Sequence, residues 1–448
     1  MLSMKRYVVI MLLLMVSLIA CQKEMQTDIS QMQVEQLYPY AISEEQALVR
    51  LNEFLQAWDG DETRASQRVV KSISSINCDD IIPSTRSTDL NLDIDDLLYV
   101  VEFEDGKGSA VIGADTRVES VYAVLDETVL SAADFERAVN SPNADDLSTQ
   151  IAATILVSAL TDAAAGTYDF RPDEEILDDF TYQTTSTTIV ARIPPLVATK
   201  WGQGSPYNNL FPIVPGSNGV HEVAGCGTIA CAQILASLMY PSNIVLNGHA
   251  HDWGIISEFT HGYSIDNEYY KTCLARFIYD VGLELGLDYN HDDDNDPGTT
   301  TTVESARSLF ISLGYSNVQR ISLDLSEAYT MLSHNKPFYV KGTDYRDLSN
   351  VGSHAWVIDG WKKVRTDIIE IVRNQTGIVS QRIIGSSMAE YVHCNYGWNG
   401  TCDGYYSHTI FNVENRLSSS QIEASYGDVL GTNGRIYSSE LEMIKYNF

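Results

Sequence analysis

The run from Cys226 to Tyr240 constrains the fold of this chain more than any other segment. It carries no charged side chain, is built largely of good helix formers, follows Gly225 and stops at Pro241. It reads as a helix that opens on a cysteine. Backbone N–H groups point outward at such an end, and the partial positive charge there favours thiolate over thiol.

Two later segments supply the partners a thiolate needs. Ser353-His354-Ala355-Trp356-Val357-Ile358-Asp359-Gly360 reads as a strand bearing a histidine, and Cys394-Asn395-Tyr396-Gly397-Trp398-Asn399-Gly400 bears an asparagine. Cysteine–histidine chemistry requires a thiolate, a base that protonates the departing amine, and a group that holds the imidazole. Cys226, His354 and Asn395 match these roles, with the Asn395 amide oxygen expected to accept the imidazole N–H. Oxyanion donors are sought in the Cys226 N–H and the side-chain amide of Gln203. Trp398 is placed to shield the His–Asn hydrogen bond, while Gly225, Ser353 and Tyr207 are candidate supporting or substrate-binding residues. His221 and His393 lie beside motif residues without matching their roles. This order of groups implies thiol acyl transfer.

The chain has 448 residues, of which 44% are hydrophobic and 20% charged, enough for two or three domains. Its formal net charge of −31 argues against nucleic acid as a partner and against a polybasic membrane patch, and reads as a solubilising acidic surface. Lys5-Arg6 precede an apolar run from Tyr7 to Ala20 that is short for a membrane span and fits an export signal. Leu18-Ile19-Ala20-Cys21 resembles the lipobox of bacterial lipoproteins, which implies a lipid on Cys21 as the membrane anchor and an outer-membrane location in a Gram-negative cell.

Five cysteines remain besides Cys21 and Cys226, and no C-x-x-C pair or histidine pair stands at zinc spacing, so no metal is expected. Asp292, Asp294 and Asp296 alternate as in a calcium loop, but Val303 stands where such a loop needs a glutamate.

Ser43 is a plausible N-cap for a helix that buries Leu48, Leu51, Phe54 and Leu55. Residues 97–103 and 109–113 form a hairpin, 118–125 a third strand, and 145–165 a helix. Residues 181–188 are expected to be a weakly structured polar connector, broken by Pro194-Pro195. Beyond it, helices are expected at 268–285 and 301–313, and short strands at 337–340, 355–358, 368–372 and 391–395. These make an α+β protein: a helical half packed on an antiparallel sheet, preceded by a small α+β unit.

Four blocks in order resemble the streptopain family of secreted bacterial cysteine peptidases, within the papain-like group. They are Trp201-Gly202-Gln203-Gly204-Ser205-Pro206-Tyr207-Asn208, then Gly225-Cys226 with Ala230 and Ala232-Gln233, and the histidine and asparagine segments. Gly227, Thr228, Ile229, Tyr396 and Asn399 depart from the family's usual residues. The resemblance implies a papain-like catalytic domain at 191–448 and an inhibitory propeptide at 21–190 that follows a signal at 1–20. It further implies protein or peptide substrates, the chain's own propeptide as intramolecular inhibitor, and no cofactor. An acyltransferase or amidase using the same groups, or an inactive surface binding protein, are the alternatives.

Overall fold

A computed structural model describes residues 40–60, 67–77, 96–140, 146–165, 181–260, 266–289, 299–344, 352–374, 377–411 and 439–448. The export signal, Cys21, Cys78 and the acidic stretch at 290–298 lie outside the described residues.

Helix α1 (Glu44–Trp58) begins where the sequence placed it. Ser43 Oγ accepts from the Gln46 N–H at 3.3 Å, and the Gln46 side chain returns to the Ser43 N–H, a reciprocal capping box. Strands β1 (Val70–Asn77), β2 (Asp96–Phe103), β3 (Ser109–Gly113) and β4 (Val121–Leu125) follow as antiparallel neighbours. Helices α2 (Ala132–Asn140) and α3 (Leu147–Ala165) cover them. Helix α3 is long and apolar enough to cross a bilayer, but nearly all of it is buried, as in the core helix of a folded domain.

Strand β5 (Thr181–Ile193) leads into the second half. There lie α4 (Cys226–Leu238), the two-residue strands β6 (Val245–Leu246) and β7 (His249–Ala250), α5 (Trp253–Ile256) and α6 (Glu268–Glu284). Next come β8 (Asp288–Tyr289), β9 (Thr299–Thr300), α7 (Val303–Ser312), β10 (Ser316–Ser322), α8 (Leu325–Ser333) and β11 (Phe338–Asp344). Strands β12 (Gly352–Asn374), β13 (Gly377–Asn395), β14 (Gly404–Ser407) and β15 (Ser439–Asn447) complete the order.

The architecture is the expected α+β class, with one difference of scale. A single sheet runs β1-β2-β3-β4-β14-β13-β12-β11-β15-β10 and crosses from the first half of the chain to the second at the β4–β14 pair. One apolar core likewise joins Leu97, Tyr122 and Leu156 to Trp201, Leu235, Trp356 and Tyr406. A smaller core seats Phe54 and Trp58 of α1 against Tyr391 and Tyr405, with ring centroids 5.1–5.6 Å apart at steep angles. The Lys362 ammonium lies 3.8 Å from the Trp58 ring centroid.

The expected polar connector is corrected. Residues 181–193 form a strand that pairs with β12 from Thr181↔Val372 to Ile193↔Trp361. Threonine is polar but β-branched, and the run Thr184-Thr185-Ser186-Thr187-Thr188 suits a pleated surface better than a loop. The strands expected at 355–358 and 368–372 are also one: β12 is continuous for 23 residues.

His393 explains itself here. It is buried, with Nδ1 2.6 Å from Asp359 Oδ1 and Nε2 3.2 Å from Asp126 Oδ2, so one imidazole joins a carboxylate of each half. Burial alone would push the imidazole down; the Asp359 and Asp126 carboxylates outweigh it and hold it up at about 10. A raised pKa adds stability that is whole below the unfolded value of about 6.5 and is lost as pH climbs through the folded one. We predict that His393→Gln, which strips the buried Asp359 and the half-buried Asp126 of their shared cation, lowers the unfolding free energy at pH 7 by about 2–4 kcal/mol. In urea melts from pH 6 to 10, the difference between the two proteins should shrink as pH rises.

Candidate active site

The thiol of Cys226 sits at the first position of α4, where the sequence placed it. Gly225 is the N-cap with φ 85° and ψ 139°, a conformation costly for any side chain. The first N–H groups of α4 find no intrahelical partner and face outward. Close approaches fix this end of the helix. A Cβ on Gly227 would stand 2.1 Å from Thr301 Oγ1, so the departure at Gly227 is matched by a segment that fills its space.

His354 lies near the start of β12, opposite Gly342 of β11, and is 4% exposed. Its Nε2 is 3.1 Å from the Tyr396 carbonyl oxygen. A carbonyl only accepts, so Nε2 carries a proton and Nδ1 is left for the thiol. The Cys226 and His354 side chains are hydrogen-bonded, and the Ala355 N–H points at Cys226 Sγ from 3.4 Å. Burial pushes the thiol up, but the His354 imidazole, the Ala355 N–H and the Lys341 ammonium bring it down to about 7. Burial drives the Cys231, Cys394 and Cys402 thiols upward instead. Of these four thiols, Cys226 is the one brought down.

Asn395 requires a correction. Its Oδ1 accepts from Gln233 Nε2 at 2.9 Å and from the Gly397 N–H at 3.2 Å, and its Nδ2 donates to the Thr199 carbonyl at 2.7 Å. Two donors occupy both lone pairs of Oδ1, so the amide oxygen is not the acceptor of the imidazole N–H. It closes the turn around Tyr396 instead, and the Tyr396 backbone carbonyl does the holding. Asp403 supports the same turn by accepting the Tyr396 N–H at 2.8 Å.

Gln233, within the Ala232-Gln233 block, has a structural role that its position in the sequence does not reveal. Fully buried on α4, it accepts from Thr199 Oγ1 at 3.0 Å and the Trp201 N–H at 3.1 Å while donating to Asn395. One amide thus ties the nucleophile helix to both flanking loops. A charge-free helix bearing one glutamine was its only signal.

The Gln203 loop is drawn against the thiol. The Gln203 carbonyl accepts the Ala224 N–H at 2.9 Å, two residues before Cys226. Gly202 has no room for a Cβ, which would meet the Asn399 side chain at 2.4 Å, and the Trp201 carbonyl accepts the Asn399 N–H. Trp398 is half-buried with its ring centroid 6.4 Å from that of His354, so it shields the bond to Tyr396 rather than one to Asn395. Ser353 is exposed beside His354. Tyr207 has no exposed surface and packs near Trp201, which makes it a support of the loop and not a surface for substrate. His221 bonds through Nδ1 to the Phe211 carbonyl, away from these groups. Among the described residues, no group of three or more metal-ligating side chains is arranged to hold an ion.

The arrangement offers a nucleophilic sulfur, a proton carrier bonded to it and outward N–H groups at one helix end. That set serves acyl transfer. We predict that His354→Ala abolishes turnover, whereas Asn395→Ala, acting through the Tyr396 turn, lowers kcat by about 10–100-fold, less than loss of a general acid–base usually costs. Initial rates on a fluorogenic peptide, with thermal melts to check folding, test the ranking.

Comparison with known proteins agrees with this reading. The family model described as Peptidase C10 family matches residues 201–406. Streptopains of Streptococcus pyogenes are 23% and 24% identical over 269 residues, covering 51% of this chain and 58% of theirs. The chain therefore spans little more than half the length of the curated relatives it matches. Among solved structures, a prointerpain A fragment from Prevotella intermedia aligns over 78% of this chain and 95% of its own, with 18% identity and a TM-score of 0.47. Active interpain A from the same organism aligns over 57% and 95%, with 21% identity and a TM-score of 0.38. The likeness to the streptopain family read from four sequence blocks is thus borne out over residues 201–406, which match the Peptidase C10 family.

Proposed function

We propose that this chain is the zymogen of a cysteine endopeptidase. The observation that carries the reading is the Cys226 thiol, bonded to His354 at a helix N-terminus and held at about 7. The Cys226 thiolate attacks a peptide carbonyl and forms a carbon–sulfur bond. The oxyanion is met by the Cys226 N–H and the Gln203 side-chain amide. His354, charged by the thiol proton, passes that proton to the departing amine as the carbon–nitrogen bond breaks. It then takes a proton from water, whose oxygen displaces the sulfur and frees the acid. Tyr396 holds the imidazole through its carbonyl during both proton transfers.

In the same reading residues 21–190 are the inhibitory propeptide, exported behind the signal at 1–20 and anchored by lipid on Cys21. Removal of the propeptide by proteolysis activates the enzyme. The β4–β14 pairing and the Asp126–His393–Asp359 bridge support an intimate docking of the first half on the second.

Intact mass over time, on protein lacking residues 1–21 with casein present, tests the proposal. The expected result is trimming toward residues 190–448 with loss of casein, and neither change in Cys226→Ala. Trimming that persists in the variant, or inert casein after the wild type is trimmed by trypsin, would reject it.

A further inference from the structure

The first turn of α4 faces a second cation. Lys341 lies on β11 and is the register partner of Ala355, whose N–H reaches Cys226 Sγ. Its neighbour but one, Tyr339, shares that sheet face; the Tyr339 hydroxyl lies 3.4 Å from where a Gly227 Cβ would stand. Lys341 and Tyr339 therefore project toward the helix end that carries the thiol. The Lys341 Nζ donates to the Thr301 carbonyl at 2.7 Å, and Thr301 is the residue that packs into the space above Gly227. The ammonium is tethered to the same segment that abuts the helix.

Its charge is not spent elsewhere. Glu442 of β15 is the Lys341 register partner on the other side, yet both Glu442 oxygens are taken by Arg320 of β10, with Nη2 2.8 Å from Oε2. Among the described residues no carboxylate forms an ion pair with Lys341. A carbonyl tether satisfies one N–H without cancelling the charge. Half-buried and tethered, the ammonium is screened less than a surface lysine would be.

We propose that Lys341 is a positioning residue for the nucleophile, a fixed positive charge behind Cys226 that stabilises the thiolate independently of His354. The groups facing the sulfur are then His354 from β12, Lys341 and Tyr339 from β11, and Cys231 one turn on in α4, with Arg320 and Glu442 behind Lys341. Among the described residues, His354 and Lys341 are the groups that bring positive charge to bear on it. Burial pulls the Lys341 ammonium down, and the sulfur and Glu442 offset only part of that fall, the sulfur's share being the reciprocal of the Lys341 effect on the thiol. A single imidazole gives the sulfur its charge only while the proton stays on that ring. A second cation stabilises the negative sulfur before attack and again as the thiolate departs from the acyl-enzyme, without depending on the proton that the ring carries.

The inference rests on Cys226 being the nucleophile, and its test reads the thiol directly rather than turnover. The full chain without residues 1–21 is alkylated with iodoacetamide from pH 5 to 9, and the modification of Cys226 is followed by peptide mass. Lys341→Gln keeps a donor for the Thr301 carbonyl but removes the charge. It should raise the alkylation midpoint by about 0.5–1 unit and slow the reaction at pH 6 by roughly three- to tenfold. Lys341→Arg should restore the wild-type midpoint. The Lys341→Gln shift should persist in a His354→Ala background, because the two charges act separately. Lys341→Met serves if the glutamine variant melts early. An unmoved midpoint in folded charge-removed variants, or a shift that arginine does not reverse, overturns the proposal. Casein hydrolysis measured alongside separates the readings: a shifted midpoint without hydrolysis in the wild type would keep Lys341 and discard the peptidase.

Discussion

Everything near the thiol depends on strand β12 being paired along both edges. Residues Gly352–Ile358 pair with β11, β13 joins along the other edge from Val357 onward, and beyond Gly360 β5 takes the place of β11. A strand bonded on two sides cannot shift its register without breaking two ladders, and a shift by one residue would turn His354 to the opposite face. The imidazole therefore stands on a rail. Asp359, five residues on, accepts the Val197 N–H at 2.9 Å and binds His393, so the same strand also anchors the entry to the second half and the bridge to the first.

The loops reach this rail through missing side chains. Gly202 admits Asn399, Gly227 admits Thr301, and Gly397, at φ 71°, would drive a Cβ to 2.9 Å from Ile229 Cγ2. Two of these approaches close on the first turn of α4 and the third joins two loops, each setting a side chain against a glycine where a Cβ would push it away. The buried amide of Gln233 supplies the polar tie inside the contact, its oxygen and its nitrogen both engaged.

The sequence displayed the helix that opens on Cys226, the histidine strand and their order, because side-chain pattern determines all three. It also displayed the Ser43 cap and the β2–β3 hairpin. It did not display Tyr396 as the imidazole's holder, since a backbone carbonyl has no residue type to recognise. Asn395 attracted the role because amides can fill it; burial beside Gln233 and Thr199 decided otherwise. The threonine run at 184–188 looked like a connector because polarity was weighed above β-branching. Lys341 was invisible for a different reason: it is 115 residues from Cys226 in sequence and meets it only through sheet register.

The pairing of β4 with β14 separates two events that a single peptide-bond cut would seem to merge. While the chain is whole, its first half meets its second at the effective concentration of a tethered neighbour. After a cut within β5, the same ladder, the shared core and the Asp126–His393 bridge still hold, now as a complex of two chains. Hydrolysis alone would not free a catalytic half; departure would follow dilution, or destruction of the piece left behind. The time between the two is a property of an interface, not of a nucleophile.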